Sequence, residues 1–100
     1  MKQVYLTEPI HEDAISLLRS HFRVVLGYTL QDDRERAAAL GESHGVLIRS
    51  AHVTEDVMEQ AQALQVIAKH GIGVDNIDVA AATARGIQVV NAPLANVNAV

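Results

Sequence analysis

A chain of 100 residues, 49% apolar and 20% charged, makes one globular domain that can bury roughly 60–65% of the surface it exposes when unfolded, which excludes the disordered class. It contains no cysteine, so disulfides, thiolate nucleophiles and thiolate metal sites are excluded together. The formal charge of −4 gives no general attraction for nucleic acid, and no apolar run approaches a membrane span.

The N-terminus, Met1 to Thr7, reads as a first strand around Val4-Tyr5-Leu6, because it lacks the apolar core and cleavage site of a signal peptide. A cytoplasmic protein is expected. Ile10, Ala14, Leu18 and Phe22 repeat every four residues and predict a helix from about His11 to His21. After a strand at Val24-Val25-Leu26, a second helix with a weak apolar face is expected from Gln31 to Leu40, capped by Thr29 and stopped at Gly41. Gly45 to Ile48 forms the third strand, and Thr54 caps a helix reaching Ala63. Val66-Ile67-Ala68 is the fourth strand. Asp78 then caps a helix that ends at Arg85-Gly86, and Ile87 to Val90 is the fifth strand. Strands alternating with helices in this way predict an α/β fold, a flavodoxin-like doubly wound parallel five-stranded sheet with helices on both faces. Ligands of such a sheet bind outside the carboxyl ends of the strands. From Asn91 the chain is expected to leave the sheet, with Pro93 stopping further pairing and Asn96 to Val100 opening another helix.

The segment Leu64 to Asp78 runs a strand into a loop holding Gly71 and Gly73, whose backbone N–H groups can approach a small anion while Asp75 and Asn76 lock the turn. It is not a dinucleotide motif, because Asn76 stands where the third glycine belongs and the helix waits until Asp78. From the residues alone, an anion-binding loop and a plain tight turn remain open. Arg49 and Lys69 end adjacent strands and bring two cations to one rim; each is either a ligand for an anion or an ordinary solvated charge. Ser50 lines the same pocket or starts a turn. The five histidines, His11, His21, His44, His52 and His70, show no paired ligand spacing, and no metal site is expected. Neither a phosphoacceptor receiver nor a flavodoxin fits. The third strand ends in Arg49-Ser50 where a receiver needs an aspartate, and Thr7-Glu8-Pro9-Ile10 is no phosphate loop.

Leu47 to Ser50, Leu64 to Asp78, Val79 to Gly86 and Val89 to Asn96 together resemble the N-terminal substrate-binding half of the D-isomer-specific 2-hydroxyacid dehydrogenases, closest to the phosphoglycerate dehydrogenase and glyoxylate or hydroxypyruvate reductase branches. The resemblance implies an oxidoreductase that transfers hydride between NAD or NADP and a small 2-hydroxy or 2-keto acid. It implies a substrate carboxylate held by the N–H groups of Ile72 and Gly73, with Asn96 nearby, and Ile72 and Val100 against the nicotinamide. Arg49, Ser50 and Lys69 would meet the rest of the substrate, although the phosphoglycerate branch carries arginine where this chain has Lys69. The catalytic residues and the cofactor's glycine motif lie downstream in the family, so none is assigned here. The expected unit is residues 1–100 as substrate-binding domain, with about 91–100 crossing to a cofactor domain, in an enzyme that is a homodimer when complete. A C-terminal segment returns to this domain in the family, so apolar surface should be exposed. The alternative is a non-catalytic anion-binding or interaction module of the same fold.

Overall fold

The computed structural model describes residues 1–71, 73 and 75–92. Strands β1 (Gln3–Leu6), β2 (Arg23–Leu26), β3 (Gly45–Ile48), β4 (Val66–His70) and β5 (Gln88–Ala92) alternate with helices α1 (Glu12–Arg19), α2 (Asp33–Glu42), α3 (Glu55–Gln60) and α4 (Val79–Ala84). The strands form one sheet in the order β2-β1-β3-β4-β5, and every pairing is parallel. This is the doubly wound sheet that the alternation predicts.

Register explains the core. Val25, Tyr5, Val46, Ile67 and Val89 face one another across all five strands, and this row packs against Met58 of α3 and Ala81 and Ala82 of α4. The small side chains of α4 let its backbone lie close to the sheet. The opposite face carries Leu26, Leu6, Leu47, Ala68 and Val90 in the next row. Here α1 covers only part: Leu6 is fully buried, whereas Val90 is 42% exposed. Between them Leu18 and Phe22 form one wall of an apolar groove floored by Val4, Leu47, Val66 and Ala68.

Several boundaries differ from the sequence expectation, each for a local hydrogen-bonding or packing reason. His11 is the N-cap of α1 and its Nδ1 accepts the Asp13 N–H at 3.1 Å. Ile15 is the buried residue of that helix while Ala14 is exposed, so the inward stripe is Ile15, Leu18 and Phe22. Asp32, not Thr29, caps α2 by accepting the Arg34 N–H at 2.8 Å. Thr29 instead closes a 3-10 turn and donates to the Leu26 carbonyl at 2.6 Å. Gly41 lies inside α2. The weak apolar face expected for this helix is matched by the absence of any buried residue in it. A polar cluster ties down its end: Gln3, only 5% exposed, donates through Nε2 to the Ala39 carbonyl and to Ser43 Oγ, each at 3.0 Å. Helix α3 stops at Gln60, short of Ala63, and Thr54 makes no side-chain cap bond. Asp78 caps α4 as expected, accepting the Ala81 N–H at 3.0 Å. Strand β5 continues through Asn91 and Ala92, which pair with Lys69 and His70, so the chain does not leave the sheet at Asn91. The turn at Pro93 and the helix start at Asn96 to Val100 lie outside the described residues. No helix among the described residues is long and apolar enough to cross a membrane.

Candidate functional site

Because all strands are parallel, their carboxyl ends share one edge. At its centre lie Thr7 and Glu8 after β1, Arg49 to Ala51 after β3, and the Gly71 loop after β4. The Glu8 carboxylate sits in the turn that follows β3. Its Oε1 accepts the N–H groups of Arg49 and Ser50 at 2.8 Å and of Ala51 at 3.0 Å, and its Oε2 accepts the Ser50 hydroxyl. Successive N–H groups aimed at one point form an anion-binding concavity, here filled by the chain's own carboxylate. Desolvation pushes the Glu8 pKa up, but the Ser50 hydroxyl and the N–H groups of Ala51, Arg49 and Ser50 outweigh it and hold the carboxyl down at about 2.

The carbonyl side of the same turn belongs to Asn76. Its Nδ2 donates to the Ala51 carbonyl at 2.6 Å and to the Arg49 carbonyl at 3.4 Å, and its Oδ1 accepts from Lys69 Nζ at 2.9 Å. A short parallel bridge, Val53 with Ile77, adds the bonds Val53 N–H to Asn76 carbonyl at 2.9 Å and Asp78 N–H to Val53 carbonyl at 3.0 Å. The loops after β3 and β4 are therefore one stitched unit.

Gly71 and Gly73 adopt φ values of 135° and 83°, a region that strongly favours glycine. Among the described residues, a side chain at Gly73 would meet nothing within 4 Å, and Gly73 itself is exposed. Helix α4 begins only at Val79, and its first turn is already capped by Asp78. The N-terminus of α4 is therefore already occupied by its own cap rather than offered to a pyrophosphate.

Arg49 is exposed directly beyond β3, with Nη1 3.4 Å from the Pro9 carbonyl. Lys69 is half-buried and lies within β4, opposite Ile48, rather than at its end. Ser50 is exposed and engaged by Glu8, and Gly73 is exposed. The structure thus brings Arg49, Ser50, Lys69 and Gly73 to one edge. Ile72, Asn96 and Val100 lie outside the described residues. His44 belongs to the opposite end of the sheet, accepting the Gln3 N–H at 3.0 Å. No group of three metal-ligating side chains occurs among the described residues.

Sequence reasoning missed Glu8 altogether and saw Asn76 only as a local turn former. An acid directly after the first strand of a doubly wound sheet is placed at the ligand edge, and that was the available signal. What this edge can offer an anion is the Arg49 guanidinium, the Lys69 ammonium and the exposed backbone of Gly73, while the ionised Glu8 carboxylate beside them has its hydrogen-bonding capacity turned inward onto the turn after β3.

The family model for the catalytic domain of D-isomer specific 2-hydroxyacid dehydrogenases matches residues 4–100. The D-3-phosphoglycerate dehydrogenase of Methanocaldococcus jannaschii is 44% identical over 96 residues, which cover 93% of this chain and 18% of that protein. A crystal structure from Pyrococcus horikoshii superposes with a TM-score of 0.80 at 29% identity, over 92% of this chain and 28% of that one. The NAD+-bound 3-phosphoglycerate dehydrogenase of Entamoeba histolytica shares the fold, with a TM-score of 0.76 at 23% identity over 90% of this chain and 32% of its own. The chain thus spans only 18% of the length of the Methanocaldococcus jannaschii relative. With nearly every residue inside the matched region, this chain belongs to the D-isomer specific 2-hydroxyacid dehydrogenase family, within its catalytic domain.

Proposed function

We propose that this chain is the substrate-binding part of an NAD- or NADP-dependent oxidoreductase that acts on the CH–OH group of D-2-hydroxyacids. Residues 1–100 form the substrate-binding domain, with about 91–100 leading into a cofactor domain. The observation that carries this reading is the convergence of Arg49, Ser50, Lys69 and Gly73 on the carboxyl edge of two adjacent strands. Backbone N–H groups of Ile72 and Gly73 hold the substrate carboxylate, with Asn96 nearby. Arg49, Ser50 and Lys69 face the far end of the substrate, and Ile72 and Val100 touch the nicotinamide. Lysine at position 69 keeps the charge but not the two-pronged geometry of arginine, so it favours a single anionic oxygen over a phosphate gripped in two places. The cofactor, a homodimer and a cytoplasmic location belong to the same reading and rest on the family resemblance.

Two measurements test it. The full-length gene product should oxidise NADH or NADPH in the presence of glyoxylate or hydroxypyruvate, or reduce the oxidised cofactor with phosphoglycerate. Titration of this chain with the same acids should shift the amide resonances of Ile72 and Gly73 and those of residues 49–51. Shifts confined to residues far from 49–51 and 69–76 would remove the site assignment.

A further inference from the structure

Pairing of β3 with β4 ends at Ile48 opposite Lys69, so the backbone of Arg49, Ser50 and Ala51 is held beyond the sheet by side chains. Glu8 takes all three N–H groups, and Asn76 takes the carbonyls of Arg49 and Ala51. Pro9, the next residue after Glu8, offers its carbonyl to the Arg49 guanidinium at 3.4 Å. The segment after β1 therefore contacts both the backbone and the side chain of Arg49, and the hydroxyl of Ser50 as well.

Two other roles for Glu8 are unfavourable on the same geometry. A general base needs an appreciable proton affinity, whereas the N–H groups on Oε1 and the Ser50 hydroxyl on Oε2 hold the carboxylate in its ionised form. The amides of 49–51 also cannot receive a ligand's anion directly, because Glu8 already fills their concavity. Its effect on a ligand must pass through the residues it holds.

We propose that Glu8 is a positioning residue: its carboxylate, seated on the N–H groups of residues 49–51, sets the direction from which Arg49 and Ser50 meet the anionic substrate. This rests on the substrate-binding reading given above. Filling the turn from within also keeps its N–H groups from competing with the Gly71 and Gly73 loop for the substrate's carboxylate. Substrate orientation is thereby confined to one amide-lined loop and one cationic side chain from each neighbouring strand.

The test uses the full-length gene product and four variants. Glu8→Ala should raise KM for its hydroxyacid or ketoacid roughly tenfold, the loss expected for a charge-assisted contact acting on a binding group, with kcat changed much less. Added acetate should occupy the vacated turn and lower KM again. Glu8→Gln, which keeps shape and loses charge, should fall between wild type and Glu8→Ala, and it carries the test if the alanine variant does not fold. Arg49→Ala and Lys69→Ala separate the two claims. If Arg49→Ala or Lys69→Ala raises KM but folded Glu8→Ala and Glu8→Gln leave it unchanged, the positioning role is overturned and the substrate edge survives. A raised KM in Glu8→Ala that acetate does not lower, accompanied by an equal fall in kcat, likewise overturns positioning in favour of a general structural role. If neither Arg49→Ala nor Lys69→Ala alters KM, the substrate edge itself is wrong, and the positioning role with it.

Discussion

Arg49 to Ala51 and the loop of Gly71 and Gly73 leave adjacent strands at the same edge of the sheet, and both turn backbone N–H groups away from regular pairing. In the first, the N–H groups are taken by Glu8 and the carbonyls by Asn76. The second relies on positive φ at its glycines, and no described residue lies within 4 Å of where a Gly73 side chain would be. One turn is closed by the chain's own side chains; the other keeps its backbone accessible. Rigidity next to accessibility is what an anion site requires, since the fixed turn orients the charged side chains while the glycine loop approaches the ligand.

Acid should break this difference most strongly. The Glu8 carboxyl titrates at about 2 in the folded protein against an ordinary value of 4.5. A depressed folded pKa stabilises the protein fully above the unfolded value, and that contribution fades as the pH falls from about 4.5 toward about 2. Urea midpoints measured across this window should decline more steeply in wild type than in Glu8→Gln. Parallel declines would show that the carboxylate contributes nothing to the turn.

Removing the brace between the turns comes next. Asn76→Ala leaves the Ala51 carbonyl and the Lys69 ammonium without their partner, and should cost about 2–3 kcal/mol in urea unfolding. Amide exchange should quicken in both turns together. If only the Gly71 side responds, the two loops are independent after all.

Lys69→Ala sharpens the chemical side of the comparison. In the full-length protein it should weaken transition-state binding of a phosphorylated hydroxyacid by about 1–2 kcal/mol, and of glyoxylate by less. Only the former brings a second anion to the rim. Equal losses in kcat/KM would assign Lys69 to its bond with Asn76 alone. The smallest effect is expected at Gly73→Ala, where no atom of the described residues lies in the way and the positive φ of 83° opposes a side chain. A loss of about 1 kcal/mol in thermal or urea stability should follow. A much larger loss would mean that the loop is packed rather than open.

The carboxyl edge was legible in the sequence only where a residue's role depends on its near neighbours. Gly71 and Gly73 stand out because glycine in a strand-to-helix loop signals unusual backbone, and Arg49 and Lys69 because each follows a short apolar run. Glu8 could be placed at this edge by its position after the first strand, but nothing near it in sequence signalled its partners. The N–H groups that hold it lie 41 to 43 positions away in the chain, and a glutamate before a proline looks like any exposed turn residue. Asn76 was legible as a turn residue, but its bonds to the carbonyls of Arg49 and Ala51 span 27 and 25 positions.

The same division runs through the fold. Apolar runs separated by helical patterns determined the parallel sheet, because strands buried on both faces must be continuously apolar and the links between parallel strands must be long. Asp78 and Gly86 determined both ends of α4, since capping acts within a turn of the backbone. Tertiary packing decided the rest. Ile15 rather than Ala14 turns inward because the sheet, not the spacing of apolar residues, selects the buried stripe of α1. Strand β5 reaches Ala92 because Lys69 and His70 offer it a partner. The turn after β3 acquired its carboxylate because parallel strands deliver their ends to one edge, an adjacency that arises only when β1 and β3 pair and that no local run of residues encodes.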